Sequence, residues 1–395
     1  MQSNAGLDIL VVGTGMYVCG RGTDGFGTVL PAIYEWNKAN EIDTLHIAGT
    51  NPNSIEVLKH KQSDIEAAFG TQIDTDYYPT EGVDDQAYLQ AAERMDDPCC
   101  AMVVVPDHLH HEITANLIKR SIHSLVVKPL APTVAEVDDL VRLQNEHDVI
   151  GAVEFHKRFD RSNRMLRDAY TSGELGDPLY FLVQYSQRKL IPEEQFRTWV
   201  ERTNIFQYLG PHYVDIIRFV TGAKPVFVSV DGQQGYLAAR GYDTYDAIEA
   251  MVQWEGADGH AFQSCFVVNW IDPNDSSAMS DQRITYVGTK GRFEADQKRR
   301  GIQQISDSTG IMEPNPDFCR AYGTLGTPSY GYEGYGIDSF HRYIDDVRRD
   351  FEGEALNLGA SDRVVTFEEA KVSTAVVEAV NKALRNKLEK TPVEY

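Results

Sequence analysis

The chain has 395 residues, 42% of them hydrophobic and 24% charged, and its 37 Lys and Arg against 59 Asp and Glu give a net charge of −22. This length accommodates two domains with cores of their own, and the composition is that of a globular protein. The acidic balance argues against nucleic-acid partners, which need a basic surface to displace counterions. No apolar run approaches a membrane span and the amino-terminal MQSNAGLD lacks a signal-peptide pattern, so a cytoplasmic protein with no membrane partner is expected. Five cysteines, odd in number and without zinc spacing, predict reduced thiols and no metal site. Cys19, which falls in a glycine-rich turn, is expected to be open to alkylation.

In chain order, Asp8–Val12 reads as a buried strand and runs directly into Gly13-Thr14-Gly15-Met16. A Gly-x-Gly between a first strand and a helix is what a dinucleotide site requires: the glycines let the backbone approach a pyrophosphate, and the helix N-terminus supplies free N–H groups. The usual third glycine is Val18, and the turn continues through Cys19 to Gly27 with glycines at 20, 22, 25 and 27. Two readings of this insertion stand: a floppy surface loop, or a phosphate-facing turn in which Arg21 meets the cofactor. Thr44–Ala48 is the second strand. Past Gly49, Thr50 and Asn51 occupy the place of the acidic residue that holds a ribose 2′-hydroxyl in NAD sites, so NADP is allowed as well as NAD and is the favoured reading. Lys59 and Lys61 follow on a helix, either facing a phosphate or simply exposed. Val83–Met95 reads as a further helix.

Ala101–Leu130 is the most informative stretch. Strand Ala101–Val105, a helix bearing Ile113, Leu117 and Ile118, and strand Leu125–Val127 make one βαβ unit, which places Lys128 at the carboxyl end of a parallel strand, where ligands of open α/β sheets bind. Thr133 with Glu136 predicts a capping box, and Ile150–Phe155 is the last buried strand of this half. Beyond it, runs at Leu179–Tyr185, Val226–Val230, Asp246–Trp254, Ala261–Asn269 and Ile284–Val287 read as strands without alternating helices, hence a mainly antiparallel sheet. Gly210-Pro211 predicts a helix start that puts His212 in the first turn, with Asp215 three residues on, and Gly222 ends that helix. A long helix runs from Thr366 to about Leu388.

Val105-Pro106-Asp107-His108-Leu109-His110, Val127-Lys128-Pro129, Tyr208-Leu-Gly-Pro-His212 with Asp215, and Val287-Gly-Thr-Lys-Gly291 together resemble the Gfo/Idh/MocA oxidoreductase family (glucose–fructose oxidoreductase, inositol dehydrogenase and relatives). The chain departs from the family's Thr-Pro-Asn-x-x-His and Glu-Lys-Pro at Thr, Asn and Glu. It also has Tyr208 where the family has Asp. The resemblance implies an N-terminal Rossmann domain with a doubly wound parallel sheet, residues 1–150. It implies a C-terminal open antiparallel sheet with helices on one face, residues 151–395, often used for oligomers.

The function expected is hydride transfer between NADP or NAD and a secondary alcohol of a small-molecule sugar or polyol, in a dimer or tetramer. Oxidising such an alcohol needs a proton acceptor that titrates near neutrality and a fixed positive donor for the alkoxide-like oxygen. His212 and Lys128 are assigned these roles, with Tyr208 as a third catalytic member. Gly13, Thr14, Gly15, Met16, Arg21, Thr50, Asn51, Pro106, His110 and Lys128 are expected at the cofactor. His156, Lys157, Arg158, Tyr208, His212 and Lys128 are expected at the substrate. Two alternatives stand: an enzyme that retains its cofactor and oxidises only transiently during elimination, hydrolysis or epimerisation, and a cofactor-binding regulatory protein without turnover.

Overall fold

The computed structural model describes residues 6–354, 356, 363–387 and 389–395. The first five residues and Leu388, which entered the readings above, lie outside them. In chain order the elements are β1 (Leu7–Val12), α1 (Met16–Cys19), α2 (Val29–Asn37), β2 (Ile42–Ala48), α3 (Pro52–Phe69), β3 (Thr75–Tyr78), α4 (Ala87–Ala92), β4 (Cys99–Val103), α5 (His110–Ile118), β5 (His123–Val127), α6 (Val134–His147) and β6 (Gly151–Glu154). Then come α7 (Arg161–Thr171), β7 (Pro178–Arg188), α8 (Ile205–Thr221), β8 (Lys224–Gln233), β9 (Ala247–Glu255), β10 (Ala261–Asp272), β11 (Ser280–Gly288) and β12 (Arg292–Asp296). Two short hairpins follow, β13 (Gln304–Ser306) with β14 (Gly310–Met312) and β15 (Arg320–Tyr322) with β16 (Gly331–Glu333). The chain closes with α9 (Tyr335–Phe351), β17 (Val365–Thr366), α10 (Phe367–Asn386) and β18 (Thr391–Pro392).

Two compact units result. The first comprises residues up to Leu130, Val137–Phe159 and Asp317–Phe367. Its sheet runs β17-β6-β5-β4-β1-β2-β3, parallel throughout except for β17, which pairs antiparallel with β6. Strands buried on both faces need continuous apolar runs, and Ile9–Val12 and Cys99–Val103 supply them. β6 lies inside this sheet, so the edge expected at residue 150 falls within the first unit. A later segment returns to the same core. On α9, Ile337, Phe340, Ile344 and Val347 are buried in one cluster with Ile33 and Trp36 of α2. Burying each such aliphatic or phenyl side chain contributes about 1.5–3 kcal/mol, enough to hold α9 on this unit.

The second unit comprises Ala131–Glu136, Asp160–Pro316 and Glu368–Tyr395. Its sheet runs β12-β11-β7-β10-β9-β8-β18, with β7 and β10 parallel and every other pair antiparallel. Strand residues alternate: Phe181, Val183, Phe266, Val268 and Val252 are buried under the helices, while Tyr180 and Met251 on the opposite face are exposed. Tight turns join neighbouring strands, with Gly256 N–H donating to His260 O at 2.8 Å between β9 and β10 and Gly288 N–H to Gly291 O at 2.8 Å between β11 and β12. The expected Thr133–Glu136 capping box forms: in it the Thr133 N–H donates to the glutamate at 3.0 Å and the Glu136 N–H to the threonine hydroxyl at 3.3 Å.

Two helix predictions need correction. The helix expected over 83–95 is confined to Ala87–Ala92, because the Asp84 carboxylate takes the Gln86 N–H (2.8 Å) in a local turn and so competes with helix entry. The helix bearing His212 starts earlier than Pro211. Asn204 caps it by accepting from Gln207 N–H at 2.9 Å, and Pro211 sits in the interior. The proline costs one backbone hydrogen bond there, and the apolar residues around it, Leu209, Tyr213, Val214 and Ile217, are all in the core. His212 is therefore the eighth residue of α8, well past its first turn. Asp215 is likewise remote from the positive end of the helix dipole. Gly222 does end the helix, with φ of 68°.

Candidate active site

In the first unit the carboxyl ends of β1, β4, β5 and β6 lie side by side, and several of the expected site residues, Gly13, Pro106, His110 and Lys128 among them, fall there. Gly13 follows β1 with φ of +128°, a conformation side chains rarely adopt, and a Cβ on it would fall on the Val104 carbonyl oxygen. Gly13→Ala is therefore expected to destabilise the protein by at least about 2 kcal/mol, read as a lower midpoint in urea. Gly15 is the reverse case: a Cβ there meets nothing within 4 Å, so the space above this peptide is open. Buried Thr14 lies between the two glycines, and half-buried Met16 opens α1.

α1 is a single turn, ended by Gly20 in the left-handed region at φ 73°. One turn sums little dipole, so charge for a phosphate must come from elsewhere. The insertion carries a guanidinium close by. Arg21 Nη1 donates to Thr14 Oγ1 at 3.3 Å, directly beside the glycine turn. The loop is tied down rather than floppy: Lys61 Nζ donates to Thr23 O (2.7 Å) and Gly25 O (2.9 Å), and Thr28 N–H to Tyr17 O (2.8 Å). An open peptide at Gly15, a tight turn at Gly13 and an adjacent guanidinium fit the pyrophosphate of a dinucleotide. Cys19 is fully buried, and burial raises its thiol pKa, so the expected reactivity to alkylating agents is corrected to an inert thiol.

At the end of β2, Asn51 uses its side-chain oxygen to cap α3 through Ser54 N–H (3.0 Å), while Thr50 is exposed. Lys59 pairs with Glu56 at 2.8 Å and lies over the Tyr77 ring. With Lys61 on the loop carbonyls, neither lysine of α3 stands free for a phosphate.

Beyond β4, half-buried Pro106 leads into the turn before α5, and His110 is buried with its Nδ1 2.7 Å from Pro129 O and its Nε2 2.9 Å from Val105 O. A neutral imidazole has one N–H and donates to one of these carbonyls at a time. Burial holds it below the ordinary histidine pKa, with the Lys128 charge acting in the same direction and Asp107 and the two carbonyls opposing. His110 thus ties the turn after β4 to the turn after β5. Lys128 stands at the end of β5 before a cis Pro129. Burial lowers its pKa to about 8, against the opposing charges of Glu154 and Asp107. The ammonium is therefore charged at neutral pH and strongly acidic for a lysine, a suitable donor to an oxygen that gains negative charge.

A carboxylate that the sequence reading passed over completes this end of the sheet. Glu154, at the end of β6, is 2% exposed and accepts from Tyr17 OH (3.1 Å) and Ser339 OH (3.0 Å), with His156 Nδ1 at 2.8 Å. The only sequence signal was an acidic residue within the apolar run IGAVEF. His156, expected at the substrate, is thus held by Glu154 and by the rings of Phe318 and Tyr335 at 5.2 and 5.6 Å. Lys157 and Arg158 are buried, at 1% and 7% exposure.

In the second unit Tyr208 and His212 lie four residues apart on α8 and hence on one face. His212 is buried, as is Asp215. Burial raises the Tyr208 phenol to about 12 against a hydrogen bond with Gln187, so it remains a proton donor through neutral pH. Its ring meets Phe196 edge-on at 4.8 Å. α8 is braced by Asn381 of α10, which accepts from Asn204 Nδ2 at 2.6 Å and donates to Gln207 Oε1 at 2.8 Å. Among the described residues no group of acidic, histidine or cysteine side chains is placed to hold a metal ion, and no helix is long and apolar enough to cross a membrane.

Residues 8–155 match the model of the oxidoreductase family with an NAD-binding Rossmann fold, and residues 163–294 match that of the GFO/IDH/MocA C-terminal domain. Myo-inositol 2-dehydrogenase of Thermotoga maritima is 26% identical over 232 residues, 57% of this chain and 65% of that enzyme, so the similarity spans just under two thirds of that relative. The 1,5-anhydro-D-fructose reductase of Ensifer adhaerens is 31% identical over 269 residues, 66% of this chain and 78% of that enzyme. Scyllo-inositol dehydrogenase from Lactobacillus casei, solved with NAD(H) and scyllo-inositol, has the same fold, with a TM-score of 0.70 at 14% identity over 98% of this chain and 99% of that one. Both halves of the sequence thus lead to one conclusion: the chain belongs to the Gfo/Idh/MocA oxidoreductase family.

Proposed function

We propose that the protein is an NADP- or NAD-dependent oxidoreductase acting on a secondary alcohol of a sugar, polyol or sugar derivative. The observation that carries this reading is Lys128, a lysine with its pKa lowered to about 8 at the carboxyl end of a parallel strand, in the same unit as an open Gly13-Thr14-Gly15 turn. Gly13, Thr14, Gly15, Met16 and Arg21 hold the dinucleotide phosphates, with Thr50 and Asn51 toward the ribose and Pro106 and His110 supporting the turns around Lys128. When bound, the cofactor supplies a hydride acceptor or donor. Lys128 donates to the carbinol oxygen as negative charge develops on it, and His212 takes up or returns the hydroxyl proton. Tyr208 donates to a substrate hydroxyl. The inositol and anhydrofructose enzymes among its relatives support a polyhydroxylated substrate.

Thr50 and Asn51 carry no charge to repel a 2′-phosphate, and this supports use of NADP as well as NAD. The apolar row on the outer face of the second sheet, where exposed Met251 pairs with half-buried Cys265 and Cys265 with half-buried Leu182, supports self-association into a dimer or tetramer. A panel of inositols, aldoses, ketoses and anhydro sugars, followed at the reduced-nicotinamide absorbance with each cofactor in both directions, tests the reading. Turnover of at least one member is expected. Cofactor binding with no absorbance change across the panel would overturn it in favour of transient oxidation or a regulatory role.

A further inference from the structure

The β5–β6 register places Glu154 opposite Val127, the residue before Lys128. Where the family motif carries its glutamate at that position, this chain has valine, and a carboxylate stands across the ladder instead. Three groups from three parts of the first unit converge on its Oε1: Tyr17 of α1, His156 just after β6, and Ser339 of α9. Burial makes each of these bonds strong. Tyr17 remains a donor, because burial and the Glu154 charge raise its phenol well above the ordinary value. The Ser339 hydroxyl is shared with Gly336 O at 3.0 Å. The His156 ring is fixed by Tyr335 and Phe318, both from the segment that returns to this unit. Lys128, next in the chain to Val127, is a cation whose charge Glu154 favours.

Resting on the reading of Lys128 as the oxygen donor, we infer that Glu154 is a positioning residue whose carboxylate, clamped by Tyr17, His156 and Ser339, keeps Lys128 in its ammonium form. Asp107 and His110 of this unit also act on Lys128. Asp107 also favours the ammonium, whereas a protonated His110 would oppose it and a neutral one does not. Removing the Glu154 charge leaves desolvation of Lys128 less opposed, so the lysine loses its proton at lower pH.

The test compares Glu154→Gln with Glu154→Asp, which retains the charge. In the first, the alkaline limb of kcat/KM is expected to move from near pH 8 to about pH 7, with activity recovering below it; in the second it stays near pH 8. A readout independent of turnover is the ¹³C titration of Lys128 in protein carrying ε-¹³C lysine, assigned with Lys128→Met, and it is expected to shift by the same amount. A uniform loss of activity in E154Q, with limb and titration unmoved, means Glu154 only anchors α9 and overturns the inference. If E154Q does not fold, Tyr17→Phe combined with Ser339→Ala strips two of the three partners. A smaller shift in the same direction supports the inference, and no shift overturns it. Should turnover survive in K128M, it is the role of Lys128 itself that fails.

Discussion

Lys128→Met is expected to lower kcat/KM about 10²- to 10³-fold while leaving dinucleotide affinity within about threefold of wild type, since removing one preorganised donor from a developing oxyanion costs about that much. The loss falls in kcat rather than in binding, because the ammonium interacts most strongly when the oxygen is negative. The pH profile gives a second signature. The donor must be protonated, so activity is full below its pKa and declines as pH rises through about 8; in the methionine variant this limb disappears. Methionine keeps the length and apolar stem of the side chain, and Lys128 sits at a strand end rather than inside the ladder, so the fold is expected to persist.

His212→Asn is expected to cost about 10²- to 10⁴-fold in kcat/KM, the range for loss of a general acid–base group. In the oxidation direction the imidazole takes up the hydroxyl proton, so the loss is expected in kcat rather than in cofactor affinity. Asparagine fits a buried helix position and retains a polar group. A loss of secondary structure by circular dichroism would instead indicate that His212 serves α8 rather than the reaction.

Much of this was legible in the sequence because its signals are local. Apolar runs ending at Val12, Ala48, Val103 and Val127 mark the parallel strands, and Gly13 and Lys128 fall at their carboxyl ends without reference to anything distant. What sequence reading missed depends on partners far along the chain. α9 shows a helical apolar pattern, Ile337, Phe340, Ile344 and Val347, yet periodicity alone does not say which core it joins, and it joins the first. Glu154 reads as an anomaly within a strand until Tyr17, 137 residues away, and Ser339, 185 residues away, are placed on it. Pro211 misled by a correct rule applied at the wrong place: proline favours a helix start, but Asn204 had already capped this helix. The glycine insertion was ambiguous because Lys61, which ties it down, lies 36 and 38 residues further on.

The central proposal is that Lys128 and His212 both serve one catalysed reaction. The direct measurement is a double-mutant cycle on kcat/KM with K128M, H212N and the double variant, using the best substrate from the panel. Groups serving one transition state lose little more together than singly, so the double variant is expected within about tenfold of the worse single variant. A double loss equal to the product of the two single losses would mean that ammonium and imidazole serve separate purposes, and would contradict the account.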